Sequence, residues 1–200
     1  MIIVVDYGMG NLHSVGKALE AAGGEVVVSS EAAEVARAEK MVLPGVGAFA
    51  DAKAELDRRG LTGPVLEHIR SGRKFLGICL GLELLMERSH EDGVHEGLGV
   101  LRGEVVRFSG AGLKVPHIGW NTIETRPGVG LFAGVPPGSY VYFVHSYYVA
   151  CEEEAVVAAR TEYGGRFTSA VATGNLWATQ FHPEKSQEVG LKMLQNFVQW

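Results

Sequence analysis

Lys74-Phe75-Leu76-Gly77-Ile78-Cys79-Leu80-Gly81-Leu82 decides the fold. An apolar, β-prone run stops at a cysteine flanked one residue away on each side by glycine. Leu82, Leu85 and Met86 then follow at helical spacing. A strand, a sharp turn and a helix in that order form an elbow that exposes a nucleophile, and the flanking glycines leave room for the turn. The start of the following helix is expected to favour thiolate over thiol at Cys79. The ordinary alternative is a small apolar cysteine packed under a sheet.

Outward from the elbow, the first half of the chain alternates strand and helix. Met1 to Val5 is a continuous apolar run ending at Asp6-Tyr7-Gly8, as a strand buried on both faces does. Asn11 suits a helix N-cap. Leu12, Val15, Leu19 and Ala22 repeat at intervals of three and four before Gly23-Gly24. Strands follow at Val26 to Val28, Lys40 to Leu43 and Lys74 to Ile78, with helical stretches near Ala50 to Arg59 and Leu61 to Arg70. This alternation predicts an α/β fold, a mainly parallel sheet with helices on both faces. From Gly103 the texture turns β-rich: Glu104 to Phe108, Asn121 to Glu124, Tyr140 to Tyr148, Ala155 to Thr161, Thr168 to Thr173 and Leu176 to Gln180. These predict hairpins that extend or flank the sheet, with a tight turn at Thr173-Gly174-Asn175 and a closing helix over Val189 to Trp200.

No repeat, low-complexity tract or linker divides the 200 residues, so residues 1–200 read as a single domain. Hydrophobic residues make up 46% of the chain, enough for a sizeable core. Eighteen basic against 23 acidic residues give a net charge of −5, which argues against nucleic acid as a partner. No membrane span or signal-peptide core is evident, and the expected location is the cytoplasm, where Cys79 and Cys151 stay free thiols. Cys151 precedes Glu152, Glu153 and Glu154, whose negative field makes it a poor nucleophile.

A thiol nucleophile needs a proton acceptor and donor, and Gln180-Phe181-His182-Pro183-Glu184 offers one. Pro183 restricts His182 and itself, holding imidazole and Glu184 carboxylate in fixed relation. Cys79, His182 and Glu184 therefore form the candidate catalytic triad. The turn Pro44-Gly45-Val46-Gly47 offers unobstructed amides for an oxyanion hole, with Leu80 supplying another. His90, Glu91, Asp92, His95 and Glu96 lack the spacing of a metal site, and Gly8-Met9-Gly10-Asn11-Leu12-His13 lacks the last glycine of a dinucleotide loop. Neither metal nor cofactor is expected.

The Gly-x-Cys-x-Gly elbow, the distant His182-Pro183-Glu184 and the Pro44-Gly45-Val46-Gly47 turn, in this chain order, resemble the class I glutamine amidotransferases over nearly all of the chain. Pro116-His117-Ile118-Gly119-Trp120-Asn121 and Tyr142-Phe143-Val144-His145-Ser146-Tyr147 resemble, more narrowly, the glutaminase subunits of imidazole glycerol phosphate synthase. The resemblance implies hydrolysis of L-glutamine to glutamate and ammonia, and delivery of the ammonia to a partner cyclase subunit in histidine biosynthesis. It implies Val46, Gly47 and Leu80 at the oxyanion hole and Gly45, Glu91, Ser146 and Tyr147 at the substrate. Asn11, Trp120, Tyr142 and Lys185 are then expected at the cyclase interface. The glutaminase of pyridoxal phosphate synthase shares the triad, but the two longer strings favour the first group. Glu83 departs from the resemblance, since many relatives place glutamine four residues after the nucleophile. Its carboxylate is expected either to attract the substrate's amino group or to turn to solvent.

Overall fold

The computed structural model describes all 200 residues. Its strands, in chain order, are β1 (Ile2–Val5), β2 (Val26–Ser29), β3 (Lys40–Gly45), β4 (Lys74–Cys79), β5 (Met86–Ser89), β6 (His95–Glu96), β7 (Leu101–Arg107), β8 (His117–Thr122), β9 (Glu124–Thr125), β10 (Tyr140–His145), β11 (Tyr147–Cys151), β12 (Val157–Glu162), β13 (Arg166–Thr173) and β14 (Leu176–Thr179). The α-helices are α1 (Leu12–Ala21), α2 (Ala32–Val35), α3 (Phe49–Arg58), α4 (Thr62–Arg70), α5 (Leu80–Glu83) and α6 (Gln187–Gln199).

Twelve strands make one sheet along the path β2-β1-β3-β4-β14-β13-β11-β7-β5-β6, with β12 on β13 and β9 on β12. Its first five strands are parallel. The remaining two strands, β8 and β10, pair antiparallel as a separate ribbon. Because side chains alternate along a strand, Ile3 and Val5 enter one core while Ile2 and Val4 enter another on the opposite face. Phe49, Leu56, Val65 and Ile69 from α3 and α4 pack into the first core; Val15, Leu19, Met193, Leu194 and Phe197 from α1 and α6 pack into the second. All four β1 side chains are buried, and each contributes roughly 1.5–3 kcal/mol.

Local signals set the helix ends where they exist. The Asn11 side chain accepts a hydrogen bond from the Ser14 amide at 3.2 Å, and Gly23 takes a φ of 93° beyond the end of α1. No basic residue lies in the last turn of α6. Lys40, on β3, supplies the missing donor by bonding the carbonyls of Phe197 and Val198 at 3.2 and 2.5 Å.

The sequence expectations hold for β1, α1, β2, β3, α3, α4 and β4 and fail at two places after the elbow. Leu82, Leu85 and Met86 do not continue a helix: α5 lasts four residues, and Met86 opens β5. The Leu85 carbonyl instead accepts from the amides of Val100 and Leu101, both at 2.9 Å, and the Leu84 carbonyl from Leu98 at 2.8 Å. Backbone groups that would have closed further helical turns are claimed by the following segment. The run Tyr140 to Tyr148 is not one strand either. It breaks at Ser146, with β10 in the ribbon and β11 in the main sheet. The short elements α2, β5 and β6 carry too few residues to show a period and went unanticipated.

Sheet register places the site. Gly45 lies opposite Cys79 on one side of β4, and Thr179 opposite Ile78 on the other. The Pro44–Gly47 turn, the cysteine and the Gln180–Glu184 segment therefore leave the same edge of three adjacent parallel strands, where functional loops of such sheets gather.

Candidate active site

Cys79 takes φ 54° and ψ −108° at the junction of β4 and α5, a conformation that costs a residue with a Cβ of order 1–3 kcal/mol. The glycines beside it are required by close approach. A Cβ on Gly77 would stand 2.9 Å from the Gly81 carbonyl oxygen, and one on Gly81 only 1.9 Å from that of Leu43. Gly45 is equally constrained, since a Cβ there would meet the Tyr7 hydroxyl at 2.4 Å. That hydroxyl donates to the Pro44 carbonyl at 2.8 Å and so anchors the turn.

The cysteine opens onto a cavity of about 400 Å³ lined by Val46, Gly47, Leu80, Glu83, Glu91, Pro116, Val144, His145, Ser146, Tyr147 and Lys185. Most residues expected at the oxyanion and substrate sites thus come together. Gly45 lies outside the lining, packed beneath Tyr7 and Leu80. Glu91 reaches the cavity, but its Oε2 also accepts from the Phe49 amide at 2.7 Å, satisfying a free donor at the start of α3.

Behind the cavity, His182 Nδ1 and Glu184 Oε1 are 2.7 Å apart, and both side chains are nearly fully buried. The three residues Pro183–Lys185 form one 3-10 turn with Pro183 at its start. Ser186 Oγ ties that turn down, donating to the His182 carbonyl at 2.7 Å and accepting from the Tyr142 amide at 3.0 Å. His182 Nε2 is buried and hydrogen-bonds nothing within the protein. The carboxylate fixes the proton on Nδ1, leaving Nε2 free to accept one.

The thiol differs from the expectation of an acidic cysteine. Burial pushes its pKa well up, and the negative charges of Glu83 and Glu184 push it further; hydrogen bonds from the Leu80 amide and Gln180 oppose this without overcoming it. A one-turn helix has little dipole to set against two nearby carboxylates. The resting group is a neutral thiol.

Glu83 does not turn to solvent. It is 6% exposed, and its Oε1 accepts from Gln180 Nε2 at 2.7 Å. The same Nε2 stands 3.9 Å from the Cys79 sulfur. Burial raises the Glu83 pKa to about 8, opposed by the Gln180 bond and aided by the Glu91 charge. Gln180, bridging Cys79 and Glu83, carries no signal of its own in the sequence because it reads as the polar end of a strand. Replacing Glu83 by glutamine keeps the shape and a partner for Gln180 while deleting the charge. Glu83→Gln is expected to retain glutamine turnover within a few-fold and to shift alkylation of Cys79 by iodoacetamide to lower pH. Loss of turnover by 100-fold would assign the carboxyl a specific role.

Of the expected interface residues, three cluster at the surface. The Trp120 and Tyr142 rings meet edge to face at 6.0 Å, and Lys185 Nζ lies 5.8 Å from the Tyr142 ring centre. Asn11 caps α1, and the neighbouring Gly10 lies against Pro44 and Gly45. Cys151 is partly buried away from this cavity; burial first, then Glu154 and Glu153, raise its pKa to about 11.

A family model for class-I glutamine amidotransferases matches residues 3–200. The proteins named imidazole glycerol phosphate synthase subunit HisH from Syntrophotalea carbinolica and Rhodopirellula baltica are each 53% identical to this chain. The alignments cover 98% of this chain in both cases and 98% and 96% of those proteins. The protein of the same name from Aquifex aeolicus is 52% identical over 98% of this chain and 94% of its own length. A crystal structure of a glutamine amidotransferase superposes over the full length of both chains with a TM-score of 0.77 at 19% identity. The PurLQS structure from Thermotoga maritima does so with 0.76 at 19%, covering 99% of this chain and 97% of that one. These two likenesses establish the fold. The chain belongs to the class I glutamine amidotransferase family, and within it to the HisH family of imidazole glycerol phosphate synthase subunits.

Proposed function

We propose that the chain hydrolyses L-glutamine to glutamate and ammonia, with Cys79 as nucleophile and His182, oriented by Glu184, as general base and acid. The observation that carries this reading is the strained Cys79 opening onto a cavity, with Gln180, two residues before the buried His182–Glu184 pair, 3.9 Å from its sulfur. The identity to HisH proteins over nearly the whole chain supports it. Residues 1–200 act as one catalytic domain in this reading.

The thiol is neutral at rest, so the first step moves its proton to the free Nε2 of His182 as sulfur attacks the carboxamide carbon of glutamine. The oxyanion that forms is held by backbone amides of the Val46–Gly47 turn and Leu80, each such donor being worth roughly 10²–10³ in rate. The C–N bond then breaks. His182 returns the proton to the departing nitrogen, giving ammonia and a thioester on Cys79. Water, deprotonated by His182, hydrolyses the thioester to glutamate and restores the thiol. Glu91, Ser146 and Tyr147 hold the substrate's backbone groups. Tyr7 is a positioning residue, acting through the Pro44 carbonyl.

The ammonia passes to a cyclase subunit docked on the face that carries Asn11, Trp120, Tyr142 and Lys185. That subunit uses it to form imidazole glycerol phosphate and aminoimidazole carboxamide ribonucleotide in histidine biosynthesis. Lys185 belongs to both the cavity wall and the Tyr142 contact, which supports a link between docking and turnover. Glutamine hydrolysis measured with and without the cyclase and its ribonucleotide ligand tests this. Stimulation by at least 10-fold is expected; hydrolysis without stimulation removes the partner assignment and leaves the amidohydrolase chemistry.

A further inference from the structure

The ribbon of β8 and β10 carries two buried histidines that the mechanism does not use. His117 and His145 lie opposite each other in the ribbon's register, with His117 Nδ1 3.0 Å from His145 Nε2. At one end, His145 Nδ1 is 2.7 Å from the carbonyl oxygen of Tyr147. At the other, Asn121 Nδ2 is 3.3 Å from His117 Nε2.

Every proton in this chain is fixed from its ends. Asn121 Oδ1 accepts from the Thr122 amide at 2.8 Å, and its Nδ2 donates to the Glu162 carbonyl at 3.0 Å, so the amide has one orientation only. Its remaining N–H points at His117 Nε2, which must be unprotonated. The His117 proton is then on Nδ1 and donates to His145 Nε2. His145 in turn carries its proton on Nδ1 and donates it to the Tyr147 carbonyl, which can only accept. One direction of donation runs from Asn121 through both rings to residue 147.

The chain joins the ribbon to the main sheet at both ends, to β12 through Glu162 and to β11 through Tyr147. Its inner end spans Ser146, the single residue where the strand run breaks. His145, Ser146 and Tyr147 all line the cavity that contains Cys79. We infer that Asn121, His117 and His145 form a proton-ordered chain that positions the Ser146–Tyr147 wall of the cavity, Asn121 and His117 being positioning residues that act through His145. The inference rests on the reading of that cavity as the glutamine site.

The surroundings keep both rings neutral. His117 is stacked between Tyr163, at 3.9 Å, and Phe143, at 4.7 Å, with Phe108 and Phe167 edge-on. Burial lowers the His117 pKa to about 4. Burial lowers that of His145 to about 3, with His117 and His182 as the charged neighbours that add to the effect and the Tyr147 carbonyl opposing it. A proton on either ring would leave two N–H groups facing each other in the chain, so the order survives only while both are neutral.

Two measurements test the inference. Imidazole ¹⁵N shifts of the intact protein should show both rings as the Nδ1–H tautomer, neutral from pH 8 to pH 5.5; an Nε2–H ring at either position, or titration within that range, overturns the proton order. His117→Phe keeps an aromatic ring in the stack and removes the donor to His145. With the cyclase and its ligand present, it should raise KM for glutamine roughly 3- to 10-fold, the size expected for one lost hydrogen bond, with kcat changed less than KM. Phe167→Leu disturbs the same aromatic cluster while leaving every hydrogen-bond donor and acceptor of the chain in place, and should lower Tm with KM unchanged. An unchanged KM in a folded His117→Phe protein, or an equal rise in Phe167→Leu, overturns the positioning role. If the wild-type protein hydrolysed no glutamine, the proposed function would fail, while the NMR measurement would still decide the proton order.

Discussion

Cys79→Ala is expected to leave a folded chain that turns over glutamine at least about 10⁴-fold more slowly, with the cyclase and its ligand present. No second thiol can substitute, because Cys151, the other cysteine of the chain, lies outside the cavity. The companion variant Cys79→Gly should be equally inactive yet separable by stability. In an ordinary setting glycine is less stable than alanine by about 0.5–1 kcal/mol. At φ 54° and ψ −108° alanine keeps the strain of order 1–3 kcal/mol that glycine escapes. Cys79→Gly should therefore unfold at higher temperature than Cys79→Ala. Turnover above one-hundredth of wild type in either variant would remove Cys79 from the chemistry. A lower Tm for the glycine variant would show that the elbow is not strained.

Gly81→Ala is expected to be strongly destabilising. Its Cβ would sit 1.9 Å from the Leu43 carbonyl oxygen and 3.0 Å from that carbonyl's carbon, both rigid backbone in the middle of the parallel sheet. Relief requires moving β3 or the elbow, at a cost of at least about 3 kcal/mol, comparable to severe overpacking. For a chain of this length that is roughly a 6–12 °C drop in Tm. Leu43 directly precedes the Pro44–Gly47 turn, so any protein that folds should also lose turnover. Gly63→Ala is the control, since nothing lies within 4 Å of its added Cβ on α4; it should match or exceed wild-type stability. A Gly81→Ala protein melting within 2 °C of wild type would contradict the close approach.

The elbow and the His182-Pro183-Glu184 string were legible because each is a local pattern whose chemistry is written in neighbouring residues. Gln180 stood between them and carried no such signal. Its importance arises from pairing β14 beside β4, which brings it to Cys79 and Glu83, about a hundred positions away. His117 and His145 carry no signal of their own within the strings that contain them. Their hydrogen bond exists because antiparallel register sets them opposite one another.

Sequence by itself determined the alternating strands and helices up to the elbow, the Gly-x-Cys-x-Gly and His182-Pro183-Glu184 patterns, and the glycines that let the chain turn sharply. Each follows from periodicity or from steric demands within a few residues. Tertiary structure alone decided where the helix after Cys79 stops, because the carbonyls of Leu84 and Leu85 are taken by residues 98 to 101. It alone decided that Cys79 rests as a thiol, since protonation depends on burial and on charges brought in from Glu83 and Glu184. The field at an atom sums over neighbours in space, and for Cys79 one of the two carboxylates that matter comes from the far end of the chain.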